Sequence, residues 1–235
     1  MAKKGYGSVF GEPIRQIDYL LRMIDKNSMK VLIPDDFDGR HTIYVAKKGH
    51  FVDCYENDKV LINGGIIDSF QTVGIKERIK EYALNDKVKL VEGSLFSKKI
   101  IKDYDFVFCY KSLNLDRNNC FKRDLMIRKL KSSVKENGYL YIKYILADKD
   151  TDYINFPKYK YFRRKEIMKY FDDSWEVIYC KENNFKSIDY SHPFHKEDHH
   201  HTMGSIFLKK KYKKRKYKYY YNIYTPNDYS LFNAK

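Results

Sequence analysis

Apolar and polar positions along this chain follow two rhythms, one near 3.6 residues and one of short unbroken apolar runs. After Pro13, the apolar residues Ile14, Ile17, Leu20, Leu21 and Ile24 recur at spacings of three and four. That spacing predicts an amphipathic helix with proline in its first turn. Asn27 and Ser28 break it, and Met29–Ile33 reads as a strand buried on both faces. The helical rhythm returns at Ile43, Tyr44 and Ala46 and stops at Gly49, where a helix C-cap glycine is expected. A second strand follows from His50 to Tyr55. Gly64-Gly65 interrupts whatever begins at Lys59, and Thr72–Asn85 is predicted to be a helix. Val88–Val91 and Asp105–Tyr110 are the third and fourth strands. Phe121–Lys135 is a helix with Leu125, Met126, Ile127, Leu130 and Val134 as apolar positions. Asn137-Gly138 is then expected to turn the chain into a fifth strand, Tyr139–Leu146. Residues 147–160 form a polar connection containing Pro157. Arg164–Phe171 is predicted as a short helix, and Trp175–Lys181 and Met203–Lys209 as the last two strands. No internal repeat is present.

A helix followed by repeated β-α alternation predicts an α/β chain with a Rossmann-like, doubly wound sheet. Its strands should be mostly parallel. The last two, with only a loop between them, should pair antiparallel at the edge. The expected organisation is a flexible, glycine-rich lead-in over residues 1–13, a main domain over 14–209 and a basic tail over 210–235.

The stretch Lys30–Glu56 is strand, tight loop, helix, strand, ending on an acid. Glu56 lies roughly 20 residues beyond the loop, where nucleotide-binding βαβ units place a carboxylate for a ribose hydroxyl. The other reading of Glu56 is a solvated acid at a strand end. The loop between strand and helix, Asp35–Arg40, carries three acids; Asp35 and Asp36 are suited to an ammonium group through charge-assisted hydrogen bonds. The other reading of the loop is an ordinary acidic surface turn.

Composition narrows the classes. No apolar run approaches 18 residues, so no membrane span is expected, and the first 13 residues hold no apolar signal core. The four cysteines are scattered without a C-x-x-C pair, which suits buried reduced thiols in a cytoplasmic protein. The net charge is +15, and the segment Lys209–Tyr221, KKKYKKRKYKYYY, carries eight basic residues and no acid. Lysines interleaved with tyrosines can neutralise phosphates while the rings stack on bases, so this segment is a candidate contact for nucleic acid. A solvated terminal run is the competing reading.

Taken together, these pieces resemble a class I S-adenosylmethionine-dependent methyltransferase, and within that class the small tellurite-resistance-type (thiopurine-like) enzymes. The resemblance spans roughly residues 8–209. It is carried by VFGEP at Val9–Pro13, by VLIPDDFDGRHTIYVAKKGHFVDCYE, by DFVFCYKSLN at Asp105–Asn114, by LKSSVKENGYLYIKY, and by WEVIYCKE with HPFHKEDHHHTMGSIFLKKK. It implies a seven-stranded sheet with an antiparallel C-terminal hairpin, S-adenosyl-L-methionine as cofactor and a small-molecule acceptor. It places Asp35, Asp36, Phe37, Gly39, Glu56, Ser94, Leu95 and Cys109 at the cofactor and Tyr110, Lys111 and Asn114 beside the substrate. The chain departs from the family's G-x-G-x-G turn at Asp35 and Phe37, keeping only Gly39. Ser94 stands where an aspartate often follows the third strand.

Five of the seven histidines lie in HPFHKEDHHH, expected to be a loop. Without a standard ligand spacing the segment is not assigned a metal. The resemblance puts it beside the substrate pocket, with His195, His199 and His201 as candidate general bases, and a solvated loop is the competing reading. Amino-methylating DNA enzymes of this class carry a Pro-Pro pair after the fourth strand, and CYKSLN has none. The leading expectation is therefore methyl transfer to a small molecule. A methyltransferase fold that binds without catalysis and a nucleic-acid methyltransferase remain the alternatives.

Overall fold

A computed structural model describes residues 8–98, 103–115, 118, 120–147, 161–189 and 199–212. The elements, in chain order, are α1 (Arg15–Ile24), β1 (Lys30–Pro34), α2 (Arg40–Lys47), β2 (Phe51–Glu56), α3 (Lys59–Asn63), β3 (Gly65–Ile67), β4 (Phe70–Thr72), α4 (Ile75–Glu81), β5 (Val88–Glu92), β6 (Tyr104–Tyr110), α5 (Arg123–Ser133), β7 (Val134–Leu146), β8 (Trp175–Asp189) and β9 (His199–Lys210). Seven strands form one sheet in the order β5-β2-β1-β6-β7-β9-β8. The first five are parallel; β9 runs antiparallel to β7 and to β8.

Strand alternation divides the core between two faces. Leu32, Tyr55, Val107, Cys109, Leu140 and Ile142 face α5, which supplies Met126, Ile127 and Leu130. Val31, Ile33, Val52, Cys54, Phe106 and Phe108 face the other way, onto α1 (Ile17, Leu20, Leu21), α2 (Ile43, Val45, Ala46) and α4 (Ile75, Ile79). Burial on both faces is why β1 and β6 read as unbroken apolar runs rather than alternating ones.

Several elements differ from the pattern expected of the sequence. The helix expected over Thr72–Asn85 is shortened to Ile75–Glu81, because Phe70–Thr72 pairs with Gly65–Ile67 as a separate hairpin. Asn137-Gly138 does not turn the chain between elements. The strand runs through it from Val134, with Asn137 at φ 60 and an irregularity in the β6–β7 register opposite. The helix expected over Arg164–Phe171 is a 3-10 segment, Glu166–Tyr170. The closing hairpin is longer at both strands than expected, and His199–His201 lie within β9 rather than in a loop, opposite Asp189, Ile188 and Ser187. Residues 8–10 of the expected flexible lead-in are held on the loop after β1: Ser8 Oγ donates to Asp38 at 2.8 Å, as does Val9 N at 3.1 Å. The basic tail beyond residue 212 and most of the 147–160 connection lie outside the described residues.

Candidate active site

The C-terminal ends of β1, β2, β5, β6 and β7 converge on one edge of the sheet, where ligands bind in open α/β folds. The loop from Asp35 to Gly39 lies there. Asp35, Phe37 and Gly39 adopt φ of 52, 56 and 83 degrees, so every second residue is left-handed. That region suits glycine and costs an L-residue about 1–2 kcal/mol. At Gly39 a Cβ would also approach Ile75 Cγ1 to 3.1 Å. The loop therefore keeps a glycine path at two positions that are no longer glycine.

The three acids of the loop are all buried. Asp36 turns back to the start of α2, accepting from Thr42 N at 2.6 Å and pairing with His41 Nδ1. This caps a helix whose N-terminal N–H groups would otherwise lack partners. Burial outweighs the Asp36 carboxylate and holds His41 below the ordinary imidazole value. Neutral His41 then donates through Nδ1, leaving Nε2 buried without a hydrogen-bond partner. Asp38 takes Ser8 and Val9, with Arg78 3.8 Å away; burial raises its carboxyl above the usual range. Asp35 accepts from Asn118 Nδ2 at 3.0 Å. Asn118 also donates to Ser112 O at 2.9 Å and accepts from Ser94 Oγ at 3.3 Å. A polar bridge thus runs from β1 across to the turn after β5.

Glu56 ends β2 with its carboxylate fully buried, Oε1 accepting from Asn57 N at 2.9 Å and Asp58 N at 3.0 Å. Beside it, Asn57 Oδ1 is buried with no hydrogen-bond partner among the described residues. Ser94 and Leu95 are buried beyond β5, with Phe96 N donating to Ser94 Oγ at 3.1 Å. Cys109 is fully buried, and its thiol is pushed up to about 12 by burial, so it is a packing group and not a thiolate.

The residues expected near the substrate lie at the end of β6. Asn114 Oδ1 accepts from Ile145 N at 3.1 Å. The Tyr110 ring is flanked by Arg40 Cζ at 5.7 Å and by Lys111 and Lys143 Nζ, each at 5.6 Å from its centroid. His41 lies against the same ring, tilted, with centroids 5.1 Å apart. Arg40 Nη1 donates to Phe10 O, and Phe10 in turn lies 4.7 Å from the Phe37 ring. Of the proposed histidine bases, His195 lies outside the described residues. His199 and His201 sit in the part of β9 that runs beyond Leu146, the end of β7, on the crevice side. Among the described residues no group of three His, Cys, Asp or Glu side chains gathers as a metal site.

Sequence reasoning gave no role to His41, Asn57, Asn118 or Lys143, and named Arg40 only as the end of the loop. Only Lys143 left a trace, as a polar residue inside the apolar run Tyr139–Leu146.

This strand order, with its antiparallel last hairpin, is the class I S-adenosylmethionine-dependent methyltransferase fold. Solved structures agree. TehB from Haemophilus influenzae superposes with a TM-score of 0.64 at 17% identity, over 85% of this chain and 63% of that one. This chain therefore spans less than two thirds of the TehB chain. A SAM-dependent methyltransferase from Methanosarcina mazei gives 0.55 at 14% identity over 85% and 99% of the two chains. The [4+2]-cyclase SpnF gives 0.60 at 10% identity over 84% and 80%. No family model matches the sequence, and the curated proteins show no significant similarity to it. No helix among the described residues is long and apolar enough to cross a membrane.

The cradle is compatible with S-adenosylmethionine on two observations: the glycine-like path of the loop, and the orphaned Asn57 Oδ1 beside the buried Glu56 carboxylate.

Proposed function

We propose that this protein is an S-adenosylmethionine-dependent methyltransferase acting on a small molecule. The observation that carries the reading is the left-handed backbone at Asp35, Phe37 and Gly39. Strained conformations of this kind persist where the surroundings over-determine them, and they cluster at ligand sites. A turn released from any role would relax once its glycines were replaced.

In this reading Glu56 would hold the ribose hydroxyls and Asn57 would accept from the nucleoside. Ser94 and Leu95 would flank the base, and the 35–39 loop would follow the amino-acid end. Bound there, the cofactor supplies an electrophilic methyl on a sulfonium. The chain's own task is then placement of the acceptor rather than strong acid–base chemistry. Tyr110 and Asn114 stand at the end of β6 to orient it. His199 and His201, on the overhanging ribbon, are the candidates for taking a proton from it.

A second reading, a methyltransferase fold that has lost its cofactor and binds another partner without catalysis, is favoured by one feature. The Asp35–Asn118–Ser94 bridge crosses the region that the cofactor's amino-acid end would enter. Equilibrium dialysis of the full chain against methyl-labelled S-adenosylmethionine separates the two. Saturable retention, displaced by S-adenosylhomocysteine, is expected for the enzyme. Absence of retention at high micromolar cofactor would leave the second reading.

A further inference from the structure

Tyr110 and Lys143 are direct cross-strand partners at the crevice ends of β6 and β7. They share a face of the sheet, and Arg40 and Lys111 approach the same ring. Arg40 and Lys143, two cations beside one half-buried tyrosine, repel each other unless an anion joins them. Among the described residues, neither Lys143 nor Arg40 has a carboxylate within ion-pair range. The acid that acts on Arg40, Asp38, already accepts from Ser8 and Val9. Arg40 is itself buried, and its Nε has no hydrogen-bond partner. A buried guanidinium donor without an acceptor is costly, so the geometry calls for an acceptor atom from outside the described chain. Arg40 also donates to the Phe10 carbonyl, and the Phe10 ring packs on that of Phe37.

We infer that Arg40 and Lys143 form a subsite, beside Tyr110, for the anionic group, carboxylate or phosphate, of the acceptor molecule. The cross-strand lysine is the most specific element, because moving it one residue along β7 would send it to the opposite face. The subsite stands on its own geometry; only its assignment to the methyl acceptor rests on the function proposed above.

The test uses the full chain and three probes: benzoate, phenyl phosphate and the uncharged benzyl alcohol, followed by saturation-transfer NMR. Benzoate or phenyl phosphate should bind and benzyl alcohol should not. Lys143→Gln should weaken the anion at least fivefold, and Lys143→Arg should restore most of it. S-Adenosylhomocysteine, titrated into the same samples, should bind the wild type and Lys143→Gln equally. Anion binding that is unchanged by Lys143→Gln, or no anion binding at millimolar probe, would overturn the subsite. Loss of S-adenosylhomocysteine affinity in Lys143→Gln, without benzoate binding, would assign the cations to the cofactor's carboxylate and overturn the acceptor assignment. Lysine-dependent benzoate binding by a chain that ignores S-adenosylhomocysteine would uphold the subsite and remove the methyltransferase reading alone.

Discussion

Phe37 is the position where the backbone and the side chain disagree most, and replacing it separates their contributions. Its φ of 56 degrees costs about 1–2 kcal/mol relative to glycine. Against this stand the 4.7 Å ring contact with Phe10, worth about 0.5–1.5 kcal/mol, and partial burial of the ring, worth about 1 kcal/mol for roughly half of a full phenylalanine. Phe37→Gly removes both sides of this balance and should change stability by no more than about 1 kcal/mol. Phe37→Ala loses the ring as well but keeps a Cβ in the left-handed region. It should be less stable than Phe37→Gly by about 1 kcal/mol, an inversion of the usual order in which alanine exceeds glycine. In a domain of this size that difference corresponds to about 2–4 °C in Tm. Thermal unfolding of the two variants side by side reads it directly. If Phe37→Ala equals or exceeds Phe37→Gly in stability, residue 37 is not held left-handed and the argument from the loop fails.

Two further outcomes follow from burial. His41 and His50 are both held below the ordinary imidazole value of about 6.5, chiefly by desolvation. The unfolded chain then takes up protons before the folded one as pH falls through about 6.5, so stability should decline as pH falls through and below that value. Asp38, raised by burial, acts in the opposite sense nearer its own range. Denaturant midpoints should fall as pH drops through the imidazole range, and His41→Asn should flatten the slope without abolishing it, His50 supplying the remainder; an unaltered slope would show that His41 is not buried as a neutral group. Cys54 and Cys109 are buried with raised thiol pKa values, while Cys120 and Cys180 are exposed, the Cys180 thiol being raised by partial desolvation but open to reagent. Ellman's reagent should titrate two thiols quickly in the native chain and all four in guanidinium; rapid reaction of more than two would mean that β2 or β6 is not covered.

The sheet was legible because its signals are local. β1 and β6 are short apolar runs, α1 carries its three-and-four spacing, and Glu56 falls at a counted distance from the loop. What was hidden depends on backbone conformations without a distinctive residue. The β3–β4 hairpin turns at Asp68-Ser69, both left-handed at φ 47 and 75 degrees, where an Asn-Gly pair would have announced it. Asn137-Gly138 sent the opposite signal: a turn pair was used as an irregularity inside β7. His199–His201 looked like part of a loop because their polarity masks a two-stranded ribbon that overhangs the sheet. The site was legible only in part. Loop and acid lie on one βαβ unit, but Asn118 reaching Asp35, and Lys143 facing Tyr110, are products of strand pairing between distant segments. No periodicity in a single stretch encodes those contacts.

The central claim is that Glu56 and the loop after β1 hold S-adenosylmethionine. Calorimetric titration of S-adenosylhomocysteine into wild type and Glu56→Gln tests it most directly. Glutamine can still accept the hydrogen bonds from Asn57 N and Asp58 N, so the fold of the turn is preserved while the charge is lost. One-to-one binding by the wild type is expected. Glu56→Gln should weaken it about ten- to a hundredfold, from loss of charged hydrogen bonds worth about 1.5–3 kcal/mol. Wild-type binding that is indifferent to Glu56→Gln would contradict the assignment of the ribose acid, and a wild type that takes up no S-adenosylhomocysteine would contradict the claim as a whole.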